Sequence, residues 1–363
     1  MPEIYNKVLK IRKKYLQKVS VKSSTLKRPI YMKSYDEKFD GEICKAIVIT
    51  LKTRGCAWAL SEFGGCTVCG YIYDAALKPV PEDLLLRQFS YAVREIERTN
   101  RPVILKIFTS GSFFDEEEIP PPVRHKILEI ASKIDNVREV VVETRPEFVT
   151  SDVLTECTKI LGDKILEVAI GLESSNDDIR MTCFNKGFSW KTFLSAAKII
   201  KENYCRLKVY IFLKPPFLTE MEAIKDAIRS TRDAISAGAD TISYNLSTIH
   251  RGTLLEYLWK RGEYRPPWLW SAILVLQKVS AIVDLEKTKI LCDPVAAGKT
   301  RGPHNCGSCD RYVVSILRKF SLSQNPEVLE NIKFCRCINA WKAFLHAESY
   351  SFSQTVNAYE TLT

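Results

Sequence analysis

From residue 46 onward, short apolar runs alternate with longer amphipathic ones, and this alternation constrains the fold more than any other feature of the chain. The runs are AIVITL (46–51), VILKIFTS (103–110), EVVVET (139–144), LEVAIGLE (166–173), LKVYIFLK (207–214), TISYNLS (241–247) and KILCD (289–293). They are rich in valine, isoleucine and aromatics, so they read as strands. Helical periodicity lies between them, near 81–98, 120–134, 151–161, 189–203, 220–237 and 267–283. Strand–helix succession gives a parallel sheet, because parallel neighbours need a crossover. The expected fold is α/β: six or more such units suggest a complete or partial TIM-like barrel, with a small C-terminal appendage. Functional groups in such folds gather where strands end and loops begin. The expected organisation is a basic arm (1–40), a core domain (41–288), a cysteine-rich metal-binding region (289–345) and a weakly ordered tail (346–363).

A cysteine loop follows the run AIVITL directly. In TRGCAWALSEFGGCTVCGYIYD, nine residues separate Cys56 from Cys66 and two separate Cys66 from Cys69. Three thiolates on one loop can hold three irons of a [4Fe-4S] cluster. An electron-transfer cluster takes four cysteines, so three leave one iron open to a ligand. The competing reading is a zinc knuckle or unconnected thiols. A second group lies further on, with Cys306 and Cys309 as CxxC and Cys335 and Cys337 as CxC. Two thiolate pairs with a helix-sized insert suit structural zinc, with Cys292 as an alternative ligand.

The other candidate residues sit at strand ends. Gly111 and Ser112 end the second run, where glycine lets another group approach the backbone. Glu143 and Arg145 end the third run, spaced two apart and so on one face. They can pair with each other or serve a polar ligand. Glu173 ends the fourth run and Lys214 the fifth, where an ammonium can hold a carboxylate. Asn245 and His250 lie near the end of the sixth, and His250 with Arg251 can reach phosphate or substrate. Trp268 and Trp270, in RPPWLW, can stack on a base or fill the core.

Net charge is +10, concentrated at the N-terminus, where residues 1–28 hold nine Lys or Arg against one acid. Lys10, Arg12, Lys13 and Lys14 read as phosphate contacts, most simply with RNA. The alternative is a solvated amphipathic helix, since Ile4, Val8, Ile11 and Tyr15 recur at helical spacing. No apolar segment suits a secretion signal or a membrane span. Twelve cysteines without such a signal suit the reducing cytoplasm, where clustered thiols bind metal or do chemistry.

The cysteine loop resembles that of radical S-adenosylmethionine (SAM) enzymes. It departs from their usual spacing of three then two, and its aromatic, Tyr71, follows the last cysteine. A long first gap occurs in the Elongator-type branch. The ordered set TSGSFFD, ETRPE, GLES, YNLSTIHRGT, CDPVAAGKTRGPHNCGSCD and CRCINAW, over roughly residues 40–345, is similar to the archaeal radical SAM subunit of archaeosine synthase. That resemblance implies the partial (β/α)6 form of the TIM-like barrel, a [4Fe-4S] cluster, SAM as cosubstrate and tRNA as substrate. It implies SAM binding around Gly111, Ser112, Glu173 and the other strand-end groups. The implied reaction cleaves the lysine carbon–nitrogen bond of a lysine-modified 7-cyano-7-deazaguanine in tRNA, leaving archaeosine. The implied partners are the lysine-transferring subunit and an electron donor, with no membrane. Two alternatives stay open: another radical SAM tRNA modifier, or a non-catalytic RNA-binding subunit stapled by metal.

Overall fold

The computed structural model describes residues 3–333 and 335–351. The chain divides into two units. The first comprises the described residues up to Gly171, with Lys186–Val209 and Ala237–Ala239. The second comprises Leu172–Asn185, Tyr210–Ser236 and the described residues from Asp240.

The first unit opens with α1 (Glu3–Leu16) and reaches β1 (Tyr31–Phe39) and β2 (Glu42–Thr50). It continues through α2 (Ala57–Leu60), α3 (Glu82–Ile96), β3 (Val103–Phe108), α4 (Pro121–Ser132), β4 (Val137–Thr144), α5 (Ser151–Leu161) and β5 (Ile165–Glu173), whose last two residues count with the second unit. α6 (Trp190–Glu202) and the start of β6 (Arg206–Leu213) complete it. Strand order in the sheet follows chain order. β2, β3, β4 and β5 pair in parallel, as the alternation requires. β3 is buried over five of its six residues, which explains why its apolar run is continuous rather than alternating. Helix starts are set locally: Thr150 caps α5 by accepting from Val153 N–H, and Ser189 caps α6 by accepting from Thr192 N–H.

The expected basic arm ends sooner than residue 40. Residues 31–39 form β1, which pairs antiparallel with β2. Burial explains this strand. Lys106 stands inside the apolar run of β3, only 2% exposed, and a buried ammonium needs a counter-charge. Glu37 of β1 supplies it at 2.5 Å, and the Tyr35 hydroxyl adds a contact at 3.1 Å.

The second unit holds the end of β6, α7 (Glu220–Ser236), β7 (Thr241–Leu246), α8 (Leu254–Lys260), α9 (Leu269–Ser280) and β8 (Lys289–Cys292). α10 (Asp310–Ser323), α11 (Glu327–Glu330) and α12 (Cys337–Ser351) follow. β7 and β8 pair in parallel, so 289–292 belongs to the sheet rather than to an appendage. α12 runs across the expected boundary between metal-binding region and tail. The tail from residue 352 lies outside the described residues. Among the described residues, no helix is long and apolar enough to cross a membrane.

Candidate active site and metal centre

In the first unit, three strand-end segments meet. Cys56 lies on the loop after β2, and the backbone of Gly111 after β3 packs directly against it. A Cβ at Gly111 would fall 2.5 Å from Cys56 Cα and 2.4 Å from Glu118 Oε2. The close approach expected at this glycine is therefore filled by Cys56 itself. Ser112 Oγ accepts from Arg145 N–H at 3.0 Å, and Phe113 N–H donates to Glu143 C=O at 2.8 Å, which fixes the β3 turn to the end of β4. Ser110 Oγ donates to Tyr71 C=O at 3.3 Å, which ties the same turn to the segment after Cys69.

Glu118 is the hub that sequence reasoning missed. Thr53 Oγ1 donates to its Oε1 at 2.5 Å and Ser112 N–H to its Oε2 at 2.7 Å. Burial raises its carboxyl to about 6 against these lowering hydrogen bonds. In sequence it stands at the end of an acidic run, DEEE, in which Glu116 and Glu117 are exposed and Asp115 is buried beside it.

Arg145 is buried. Its Nη2 donates to Lys186 C=O at 2.9 Å, Nε pairs with Glu147, and the guanidinium lies 5.3 Å from the Trp58 ring and 5.5 Å from the Phe188 ring. The expected pair with Glu143 is thus replaced by Glu147. Burial pushes the Cys56 thiol up to about 12, while Arg145 lowers it and Cys66 raises it. Burial also raises Cys69, with Cys66 adding to the rise and Arg12 opposing it. Cys66 is therefore within electrostatic reach of both other cysteines.

Arg12 departs from its expected role as a phosphate contact. It is 2% exposed, and its guanidinium donates to the carbonyls of Gly64 (2.8 Å), Cys66 (3.2 Å) and Cys69 (2.9 Å). Lys10, Lys13 and Lys14 lie on the exposed face of α1.

In the second unit, Glu173 and Lys214 both occupy the left-handed region, at φ 66° and 72°. Non-glycine residues rarely do so, and such strain concentrates at functional segments. The neighbouring Ser174 and Ser175 bind α7: Ser174 Oγ donates to Asp226 Oδ1 at 2.9 Å and Ser175 N–H to Ser230 Oγ at 2.8 Å. Lys214 is not an open carboxylate receptor. Its Nζ lies 3.3 Å from Glu348 and 3.5 Å from Glu220, so two carboxylates already share its charge. Glu348 also accepts from Glu220 N–H at 2.5 Å, which gives the end of α12 a structural task.

Asn245 and Arg251 are exposed and His250 is half-buried. Trp270 is core, and its Nε1–H donates to Cys337 Sγ at 3.2 Å. Trp268 is half-buried, with the Arg265 guanidinium 4.1 Å from its ring and Phe344 at 6.2 Å. The ring face taken by Arg265 is not open to a base.

Cys306, Cys309, Cys335 and Cys337 form a metal-binding group. Their ligand atoms all lie within 4.8 Å of one another, and among the described residues no other group of three or more metal-ligating side chains does so. The Sγ–Sγ distances are 3.9 Å for Cys306–Cys309, 3.7 Å for Cys306–Cys335 and 3.6 Å for Cys309–Cys337. A tetrahedron with a metal–sulfur length of about 2.3 Å has an edge of about 3.8 Å, so the spacing fits one four-coordinate ion. Asn305 Nδ2–H donates to Cys309 Sγ at 3.4 Å, and Asp310 Oδ1 accepts from the N–H groups of Asn305 and Gly307. These contacts orient the ligands, as outer partners do in metal sites. Cys306 is lowered to about 7: burial opposes the shift, and backbone N–H groups of Cys309 and Ser308 outweigh it with the neighbouring thiols. Cys292, the alternative ligand, is excluded from the group. It is fully buried in β8, with its N–H donating to Ser321 Oγ at 2.8 Å.

Fold and sites first define a class: a mixed α/β protein with a three-cysteine loop after its first parallel strand and a separate closed four-cysteine centre. The sequence then narrows it. The chain is 41% identical over 349 residues to archaeosine synthase subunit beta of Methanosarcina acetivorans, covering 96% of this chain and 98% of the relative. It is 39% identical over 309 residues to archaeosine synthase subunit beta of Thermococcus kodakarensis, covering 85% of this chain and 94% of the relative. The chain belongs to the archaeosine synthase subunit beta family. No family model matches it. Among solved structures it is similar to the archaeal Elp3 of Methanocaldococcus infernus, at 18% identity and a TM-score of 0.49, over 65% of this chain and 59% of that one.

Proposed function

We propose that this protein is a radical SAM enzyme that completes archaeosine in tRNA, by cleaving the lysine carbon–nitrogen bond of a lysine-modified 7-cyano-7-deazaguanine. The observation that carries the reading is the meeting of three strand ends at Cys56. The donor set suits the cofactor: three free thiols, Cys56, Cys66 and Cys69, on one loop, a number that leaves one iron of a four-iron cluster open. A [4Fe-4S] cluster with SAM, when bound, supplies a carbon radical that can take hydrogen from an unactivated carbon, which no acid–base side chain does.

The chain's own residues bind and orient. Cys56, Cys66 and Cys69 hold the cluster. Gly111, Ser112 and Glu118 fix the turn beside Cys56, and Arg145 lowers that thiol toward the thiolate a metal requires. In the first unit, Glu143 and Arg145 at the end of β4 offer polar groups to SAM or the lysyl substrate; in the second, taken by itself, Glu173 at the end of β5 and Asn245 at the end of β7 offer polar groups of the same kind. Lys214 acts as a paired positioning group within this reading. His250, Arg251, Trp268 and the outer lysines of α1 serve tRNA. The four-cysteine centre holds zinc and shapes the C-terminal helices. The relatives' name, subunit beta, supports a partner chain that attaches the lysine, and the chemistry needs an electron donor.

The test uses the anaerobically reconstituted protein with tRNA carrying the lysine adduct. 5′-Deoxyadenosine and archaeosine are measured by mass spectrometry, and both are expected. Absence of 5′-deoxyadenosine from a loaded protein overturns the radical reading. Its formation with the adduct left intact overturns the substrate assignment.

A further inference from the structure

We propose that Arg12 is a positioning residue for the three-cysteine loop, and that it sets a permanent positive charge beside the group this loop holds. The proposal rests on the reading of Cys56, Cys66 and Cys69 as cluster ligands. Four observations carry it.

First, α1 is two-sided. Val8 and Arg12 are buried, one turn apart, while Lys7, Lys10, Lys13 and Lys14 are exposed. An arginine on the buried face of a basic helix loses its hydration and needs acceptors.

Second, those acceptors are three carbonyls of one loop, two of them on cysteines: Gly64, Cys66 and Cys69 at 2.8, 3.2 and 2.9 Å. The planar fork of a guanidinium spans three acceptors at fixed geometry, which an ammonium cannot do. The nine residues between Cys56 and Cys66 make a long loop, and the fork fixes its far end.

Third, the helix backbone itself seats on the loop. A Cβ at Gly64 would lie 3.0 Å from Leu9 Cα, and Gly64 has φ +71°, so glycine serves both the turn and the contact. The Arg12 guanidinium also lies 4.9 Å from the Tyr73 ring, which follows the last cysteine.

Fourth, Arg12 Nη1 is buried with no hydrogen-bond partner among the described residues. A buried guanidinium N–H without an acceptor is costly, and cluster or thiolate sulfur is an acceptor of the right kind.

A fixed cation beside a cluster favours its reduced form, because reduction adds one negative charge. Net charge and hydrogen bonds to sulfur are established determinants of cluster potential. Arg12 therefore raises the midpoint potential, besides holding the loop.

The experiment measures iron per chain and midpoint potential in anaerobically reconstituted wild type, Arg12→Gln and Arg12→Lys. Metal retained at the four-cysteine centre and circular dichroism report the fold of each. Arg12→Gln removes the charge, so its potential is expected to fall by at least tenfold in the reduction equilibrium, about 59 mV for one electron. Its iron content falls too. Arg12→Lys keeps the charge and loses the fork, so its iron content falls while the potential of the loaded fraction stays near wild type. Full iron and an unchanged potential in Arg12→Gln overturn the proposal. An equal shift in both variants overturns the electrostatic half. If Arg12→Gln does not fold, Arg12→Lys decides, and full iron content in it removes the positioning role. A wild-type chain that takes up no iron at all overturns the cluster reading, and this proposal with it.

Discussion

The two cysteine sites solve different problems with the same side chain. The four-cysteine centre brings its sulfurs to 3.6–3.9 Å along the three pairs in hydrogen-bonding contact, the edge length of a shell around one ion. Two of its ligands stand at helix starts: Cys309 directly precedes α10 and Cys337 opens α12. The three-cysteine loop is more open. Its sulfurs do not all fall within 4.8 Å, and it hangs on carbonyl contacts from Arg12 and on the Gly111 turn. A closed shell gains stability from the metal, whereas an open one leaves a coordination position for chemistry. On the proposed reading, ligand count separates a structural site from a reactive one, provided the backbone holds the spacing.

The largest test of this contrast removes one ligand from the open site. Cys56→Ala should reduce 5′-deoxyadenosine to background while about one metal ion per chain remains at the other centre, by elemental analysis. Loss of both metals would show that the sites are not independent.

The reverse change should act on stability first. Cys309→Ser loses the ion, and an ion present at a thousand times its dissociation constant stabilises by about 4 kcal/mol. Thermal unfolding should then shift down by roughly 5 °C for a chain of this length. Cys292→Ser should keep the metal, because that thiol is sealed in β8. Metal loss in the Cys292 variant would overturn the ligand assignment.

A smaller effect is expected at Gly111→Ala. The added methyl meets Cys56 and Glu118 inside normal contact, and overpacking of this kind costs about 1–3 kcal/mol. Iron loading should drop while the four-cysteine centre keeps its metal. Normal iron loading would mean the turn does not support Cys56.

The smallest change in either site is expected when the outer face of α1 is neutralised. Lys10→Gln, Lys13→Gln and Lys14→Gln together should leave both metal contents unchanged. They should flatten the salt dependence of tRNA binding by up to about 2.7 in the log–log slope. An unchanged slope would place the RNA elsewhere.

Arg12 shows where legibility stopped. It shares a basic run with Lys10, Lys13 and Lys14, so charge alone grouped the four. The helical period distinguishes them, since Arg12 lies four residues after Val8 on the apolar face. Yet a period cannot say what that face covers, here a loop more than fifty residues away. Glu118 was hidden in the same way, at the end of an acidic run whose Glu116 and Glu117 are exposed. Trp268 and Lys214 look like open recognition groups in sequence, but Arg265 and two glutamates occupy them.

The sequence by itself determined the strand and helix order, the two cysteine groups and the strand-end positions of Gly111, Glu143, Arg145, Glu173 and Lys214. These follow from local rules: side-chain period, turn residues and ligand spacing act over a few neighbours. Tertiary structure alone decided that Gly111 receives Cys56, that Arg145 reaches Lys186 C=O, that β1 supplies Glu37 to Lys106 and that Arg12 holds the cysteine loop. Each is a buried polar or steric contact between distant segments. Desolvation makes such groups find partners, and only the folded chain determines which partners are within reach.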